Sequence, residues 1–184
     1  MIIALYSPKP QSGKTTVARY LQECHGFRRV PFAGTLKAMM RPMLMDIGYD
    51  LVEIERLENG DKTQVIPGTE RTLRHLYQTL GTEWGRNAVD PNLWVNVWQQ
   101  KVALMERTFR NIVVDDMRFP NELDVVLALG GEAWAIDRTS AQAVEGHASE
   151  GALNSYLFPV ILENNGSLED LYAGVDAAIL GAAA

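Results

Sequence analysis

Five short apolar runs, Ile2–Tyr6, Arg29–Phe32, Ile112–Asp115, Ala133–Ile136 and Val160–Leu162, are bounded by turn residues or helical patterns and read as strands. The stretches between them repeat their apolar positions every three to four residues. Thr15 to Cys24 places Val17, Leu21 and Cys24 on one helical face, as a core side would be. Leu36, Met39, Met40, Met43, Leu44 and Ile47 follow the same spacing, and Pro42 is expected to kink or split that helix. Asp90-Pro91 reads as an N-cap followed by proline in the first turn, opening a helix to about Met105. Further helices run from Pro120 to Leu129, closing on Gly130-Gly131, and from Ser167 onward through Leu168, Leu171, Val175 and Ile179.

Strands alternating with helices predict an α/β fold, with a mostly parallel five-stranded sheet covered on both faces. Residues 35–86 contain no convincing strand. Their polar centre, Asp50 to Glu70, carries the turn signals Asn59-Gly60 and Pro67-Gly68. The expectation is a mostly helical insertion on a single domain spanning residues 1–184.

Composition narrows the class. The chain has 184 residues, 47% hydrophobic and 22% charged, which excludes a disordered polymer. One cysteine, Cys24, rules out an internal disulfide and a zinc ribbon. No apolar run approaches a membrane span, and MIIALYSPKP lacks the basic start of a secretory signal, so a cytoplasmic protein without membrane attachment is expected. The net charge of −6 speaks against coating nucleic acid.

The chemistry begins after the first strand, where Pro8-Lys9-Pro10-Gln11-Ser12-Gly13-Lys14-Thr15-Thr16 leads into a helix. Strand, loop and Gly-Lys-Thr-Thr together are what a phosphate loop requires, because successive backbone N–H groups and a helix N-terminus surround an anion. Gln11, Ser12, Gly13, Lys14, Thr15 and Thr16 are the expected cradle. Lys14 would reach the outer phosphates, and the Thr15 hydroxyl would sit on Mg²⁺. Pro8 stands where the first glycine of such loops usually lies; neither it nor Pro10 can donate to phosphate.

A second acidic strand end, Asp115-Asp116-Met117-Arg118, offers a carboxylate for the metal. Asp115 is the first choice and Asp116 the second. Arg118 is expected at the carboxyl edge of the sheet, where ligands bind. A two-faced helix is expected from Thr69 to Gly81, with Leu73, Leu76, Tyr77 and Leu80 opposite Arg71, Arg74, His75 and Gln78. The polar face has cations and amides but no acid, which suits an anionic substrate: Arg74 for phosphate and Gln78 for a base edge.

Five segments then occur in order: Ser12-Gly13-Lys14-Thr15-Thr16, Phe32-Ala33-Gly34-Thr35-Leu36-Lys37, Leu76 through Gly81-Thr82-Glu83-Trp84-Gly85-Arg86, Asp116 through Arg118-Phe119-Pro120-Asn121-Glu122, and His147-Ala148-Ser149-Glu150. Together they resemble the deoxynucleoside monophosphate kinases of tailed bacteriophages. The resemblance implies a three-layer P-loop kinase fold and transfer of the ATP γ-phosphoryl group, with Mg²⁺, to a deoxynucleoside 5′-monophosphate for phage DNA synthesis in the host cytoplasm. It makes Lys37, Arg74, Arg86 and Arg118 candidates for the acceptor phosphate and Gln78 for the acceptor base. It places Arg138 among the catalytic candidates beside Lys14 and Arg118, at the start of a short lid-like segment at about 138–152. A homodimer is implied by the resemblance alone. The rival readings are a dephospho-coenzyme A kinase-like enzyme and a nucleotide switch, though the guanine-reading Asn-Lys-x-Asp motif of switches is missing from the sequence.

The remaining conspicuous residues read as structural. Cys24, the methionines from Met39 to Met45, Trp94 and Trp98 are expected to pack, and the acidic run Glu53–Glu58 to face solvent.

Overall fold

The computed structural model describes residues 1–60, 63–105, 108, 110–139 and 152–182. In chain order the elements are β1 (Ile2–Tyr6), α1 (Lys14–His25), β2 (Arg28–Arg29), α2 (Gly34–Asp46), α3 (Leu51–Asn59), β3 (Val65–Ile66), β4 (Arg71–Thr72) and α4 (Leu73–Gln78). A π-helical segment (Thr79–Val89) follows, then α5 (Leu93–Met105), β5 (Ile112–Val114), α6 (Pro120–Ala128), β6 (Glu132–Asp137), β7 (Val160–Glu163) and α7 (Leu168–Ala182).

Two compact units divide the chain, one formed by Met1–Phe32 with Gln99–Ala184 and the other by Ala33–Trp98. The first holds a five-stranded sheet in the order β2-β5-β1-β6-β7, with every neighbouring pair parallel. All five residues of β1 are buried, as expected for a central strand covered on both faces. Ile3 pairs with Val113 on one side, and Leu5 pairs with Trp134 on the other. The core adds Val17, Ala18 and Leu21 from α1 and Leu171 and Val175 from α7. This topology puts the carboxyl ends of the adjacent strands β1 and β5 side by side, where open α/β sheets hold ligands.

Strand β2 is shorter than its apolar pattern predicts. Val30 N still donates to Val113 O at 2.9 Å, but Pro31 has no N–H, and Phe32 N turns to Asp116 Oδ1 instead. Cys24 is exposed and not in the core, because the buried face of α1 comprises Val17, Ala18 and Leu21 and leaves the last turn to solvent.

The second unit departs further from expectation. A small antiparallel hairpin, β3 with β4, brackets the Pro67-Gly68 turn where no strand was expected. The helix expected from Thr69 therefore starts at Leu73, with Thr72 Oγ1 accepting from His75 N at 3.2 Å. Gly81 does not stop it: the chain continues as π-helix, and Asp90 N donates five residues back to Gly85 O at 3.0 Å.

Gly81 and Gly85 instead permit close approach. A Cβ on Gly85 would lie 2.5 Å from Trp94 Nε1, and that indole N–H donates to Gly81 O at 2.8 Å. Pro42 lies within an unbroken α2. Both it and Ala38, whose carbonyl loses the proline's missing N–H, are exposed, so water can satisfy that carbonyl. The helix after Asp90 begins at Leu93, because Asp90 Oδ1 accepts from Asn92 N at 2.6 Å and its carbonyl from Leu93 N at 2.9 Å, closing a turn first.

Of the methionines on α2, Met40 packs with Leu44, Ile54, Leu57, Ile66 and Leu73, whereas Met39, Met43 and Met45 are exposed. Trp94 and Trp98 are buried as expected. Glu58 overturns the solvated reading of the acidic run: it is buried, held by Arg41 Nε at 3.1 Å and Nη2 at 2.8 Å and by Tyr77 Oη at 2.9 Å.

Candidate active site

The loop between β1 and α1 takes its shape from two residues with positive φ, Gln11 at 54° and Gly13 at 107°. Glycine is required at position 13 twice over, since an added Cβ would lie 2.5 Å from Asn164 Nδ2. Asn164, just after β7, donates to Ser12 O at 2.8 Å and braces the loop from the side. Lys14 Nζ folds back over the loop, donating to Ser7 O at 3.3 Å, Lys9 O at 3.1 Å and Ser12 Oγ at 3.2 Å. The ammonium is thereby held by two carbonyls of the loop's entry, Ser7 and Lys9, and by one side chain of the expected cradle, the Ser12 hydroxyl.

Beyond the loop, Thr15 Oγ1 donates to Asp115 Oδ2 at 3.4 Å. Asp115, at the end of β5, is buried and gripped at two points by Arg29: Nε to Oδ1 at 2.8 Å and Nη2 to Oδ2 at 2.7 Å. Asp116 turns the other way and accepts from Phe32 N at 2.9 Å. Burial alone would lower the Arg29 pKa; hydrogen bonding and the charge of Asp115, with a smaller effect of Asp116, outweigh it and raise the value above the ordinary one. Mg²⁺ is commonly held by one or two carboxylates plus substrate phosphates. A hydroxyl and one carboxylate facing each other across the loop match that donor set.

Arg138, directly after β6, donates from Nη1 to Gln11 O at 3.0 Å, and its own carbonyl accepts from Lys9 Nζ at 3.0 Å. Arg138, Gln11 to Thr16, Asn164, Gly166, Leu168 and Leu171 line a cavity of about 490 Å³. A smaller cavity of about 50 Å³, lined by Ser7 to Pro10, Tyr6, Lys14, Met117 and Arg118, brings exposed Arg118 to the other rim of the loop. Its helix start is fixed by buried Glu122, whose Oε2 accepts from Arg118 N at 2.7 Å and Phe119 N at 3.1 Å.

Lys14, Thr15, Asp115, Arg118 and Arg138 are therefore gathered in the first unit. Lys37 (α2), Arg74 and Gln78 (α4) and Arg86 (π-helical segment) belong to the second unit. Arg74 is exposed and one turn from half-buried Gln78, while Arg86 Nη1 donates to Pro91 O at 3.3 Å. Most of the expected lid segment, with His147, Ser149 and Glu150, lies outside the described residues.

Arg29 and Asn164 were missed by the sequence reading. The available signals were a cation beginning an otherwise apolar strand and an Asn-Asn-Gly turn after the last strand.

A parallel sheet whose first strand runs into this lysine-bearing loop, with a carboxylate ending the adjacent strand, defines a P-loop nucleotide-binding fold. Within that class the chain belongs to the deoxynucleotide monophosphate kinase family, whose model matches residues 38–175. A protein of Acanthamoeba polyphaga mimivirus bearing that family name is 29% identical over 89% of this chain and 89% of its own length. The deoxynucleotide monophosphate kinases of Escherichia phage RB69 and Enterobacteria phage T4 are 27% and 26% identical. Those alignments span 57% and 56% of this chain but 43% and 44% of the phage proteins.

Proposed function

We propose that the protein transfers the γ-phosphoryl group of ATP to a deoxynucleoside 5′-monophosphate. An acceptor phosphate oxygen forms the new bond to the γ-phosphorus, the β–γ bridging bond breaks, and ADP leaves as the deoxynucleoside diphosphate forms. The observation that carries this reading is one loop cavity lined by Lys14, Thr15 and Arg138, with the Thr15 hydroxyl on Asp115.

Phosphoryl transfer asks for alignment and positive charge on the moving oxygens, and little covalent chemistry. Lys14 supplies that charge from the loop. Thr15 and Asp115 would hold Mg²⁺, which neutralises charge on the phosphates when bound. Arg118 and Arg138 sit on opposite rims, placed to steady the two ends of the transfer. The cavity beside Asn164 and Leu168 offers the donor base an amide and an apolar wall. Acceptor recognition is assigned to Lys37, Arg74 and Arg86 for the phosphate and Gln78 for the base. The proposed setting is the cytoplasm of an infected host.

A coupled assay with ATP, Mg²⁺ and a panel of nucleoside monophosphates tests the proposal. ADP release that depends on a deoxynucleoside monophosphate is the expected result. Acceptor-independent hydrolysis would point to a switch, and turnover only with a different phosphate-bearing acceptor would point to another small-molecule kinase.

A further inference from the structure

The carboxylate proposed for the metal already has a cationic partner. We propose that Arg29 is a positioning residue that neutralises Asp115 and holds it in place, so that the divalent ion enters with the nucleotide and is not retained by the protein alone. The inference rests on the proposed metal reading of Thr15 and Asp115.

Three observations carry it. First, the contact is two-pointed, with Arg29 Nε at 2.8 Å from Oδ1 and Nη2 at 2.7 Å from Oδ2, so both carboxylate oxygens are engaged. A planar guanidinium fixes position and orientation together, which a lysine ammonium cannot do. Second, the Asp115 side chain is only 3% exposed and that of Arg29 36% exposed. The pair is therefore poorly screened, and its two charges cancel where a dication would need net negative charge. Third, Arg29 is anchored in β2 opposite Val113, and Val30 N continues the ladder to Val113 O at 2.9 Å. Among the described residues, no group of three or more His, Cys, Asp or Glu side chains could hold a metal ion. The missing negative charge would come from the triphosphate, which brings oxygen ligands as well.

An ion pair that merely joined β2 to β5 would affect stability without affecting metal affinity, so the test reads metal. Mn²⁺ binding is titrated by the spin-resonance signal of the free ion, with and without a non-hydrolysable ATP analogue. The proteins are wild type, Arg29→Met, Arg29→Lys, Asp115→Asn and the double variant Arg29→Met/Asp115→Asn. Without nucleotide, Arg29→Met should bind Mn²⁺ at least about tenfold more tightly than wild type, because a nearby cation has been removed. The double variant should lose that gain.

With the analogue, Arg29→Lys should bind Mn²⁺ several-fold more weakly than wild type, since one-point contact no longer orients the carboxylate. Unchanged affinity in Arg29→Lys overturns the proposal even if Arg29→Met fails to fold. Equal binding of Mn²⁺ alone by wild type and folded Arg29→Met overturns it as well. Asp115→Asn tests the metal reading itself. No effect of that variant with the analogue overturns both readings, whereas an effect there without the Arg29 effects overturns this one alone.

Discussion

Tyr77 Oη donates to Glu58 Oε1 at 2.9 Å, a polar tie between the amphipathic helix α4 and the end of α3 beside the apolar packing of Ile54 and Leu57 with Leu73. Glu58 is near a helix C-terminus, where the macrodipole disfavours a carboxylate, and it is buried as well. Burial pushes its pKa up. The hydrogen bonds from Arg41 and Tyr77, helped by the charges of Arg41 and Lys37, more than reverse that and hold it below the ordinary 4.5.

Acid stability follows from this sign. The unfolded chain protonates at Glu58 before the folded one does, so the contribution is fully present above about 4.5 and is lost as pH falls through the lowered folded value. Thermal melts between pH 7 and pH 3 should show wild type losing more stability than Glu58→Gln. Parallel curves for the two proteins would contradict the assignment. Arg41→Met at neutral pH should cost about 1–3 kcal/mol, less than a fully buried pair would, because its guanidinium is partly solvated.

Lys14→Ala should abolish phosphoryl transfer while the far-ultraviolet circular dichroism and melting profile stay close to wild type. The ammonium donates to loop atoms of Ser7, Lys9 and Ser12, and Lys14 is not part of the buried sheet core, so its removal should leave that core intact. Near-normal turnover would remove the phosphate-loop assignment.

Arg74→Ala should raise the KM for the deoxynucleoside monophosphate by about tenfold or more, in line with loss of a charge-assisted contact of roughly 1.5–3 kcal/mol, and leave the KM for ATP nearly unchanged. Its exposure on α4 makes a stability effect small. Equal rises in both KM values would contradict an acceptor role.

Gly85→Ala should destabilise the protein by about 1–3 kcal/mol, since the new methyl would meet the Trp94 ring and force it off its packing. Denaturant titration measures this directly. An unchanged midpoint would show that Trp94 can yield without cost.

Much of the first unit was legible from patterning alone. The buried runs at β1, β5 and β6 and the Gly13-Lys14-Thr15 helix start have strong local signatures, and the structure brings Thr15 to Asp115. The second unit was harder to read for physical reasons. A two-residue strand such as Val65–Ile66 carries no periodicity to detect. Gly81 looks like a helix stop, but its lack of a side chain serves the approach of Leu36, with the Trp94 indole on its carbonyl. Glu58 sits in an acidic run whose other carboxylates face water; its burial is explained by partners distant in sequence, Arg41 seventeen residues before it and Tyr77 nineteen after. Arg29 illustrates the same limit: its partner Asp115 is 86 positions distant.

The lone cysteine, exposed on the last turn of α1, gives the molecule a ready-made attachment point for a probe. Ten residues of helix separate it from Lys14, roughly 15 Å at the usual rise. A maleimide dye at Cys24 would therefore report on the phosphate loop from a known separation, with no background thiol to delete and no engineered handle to introduce.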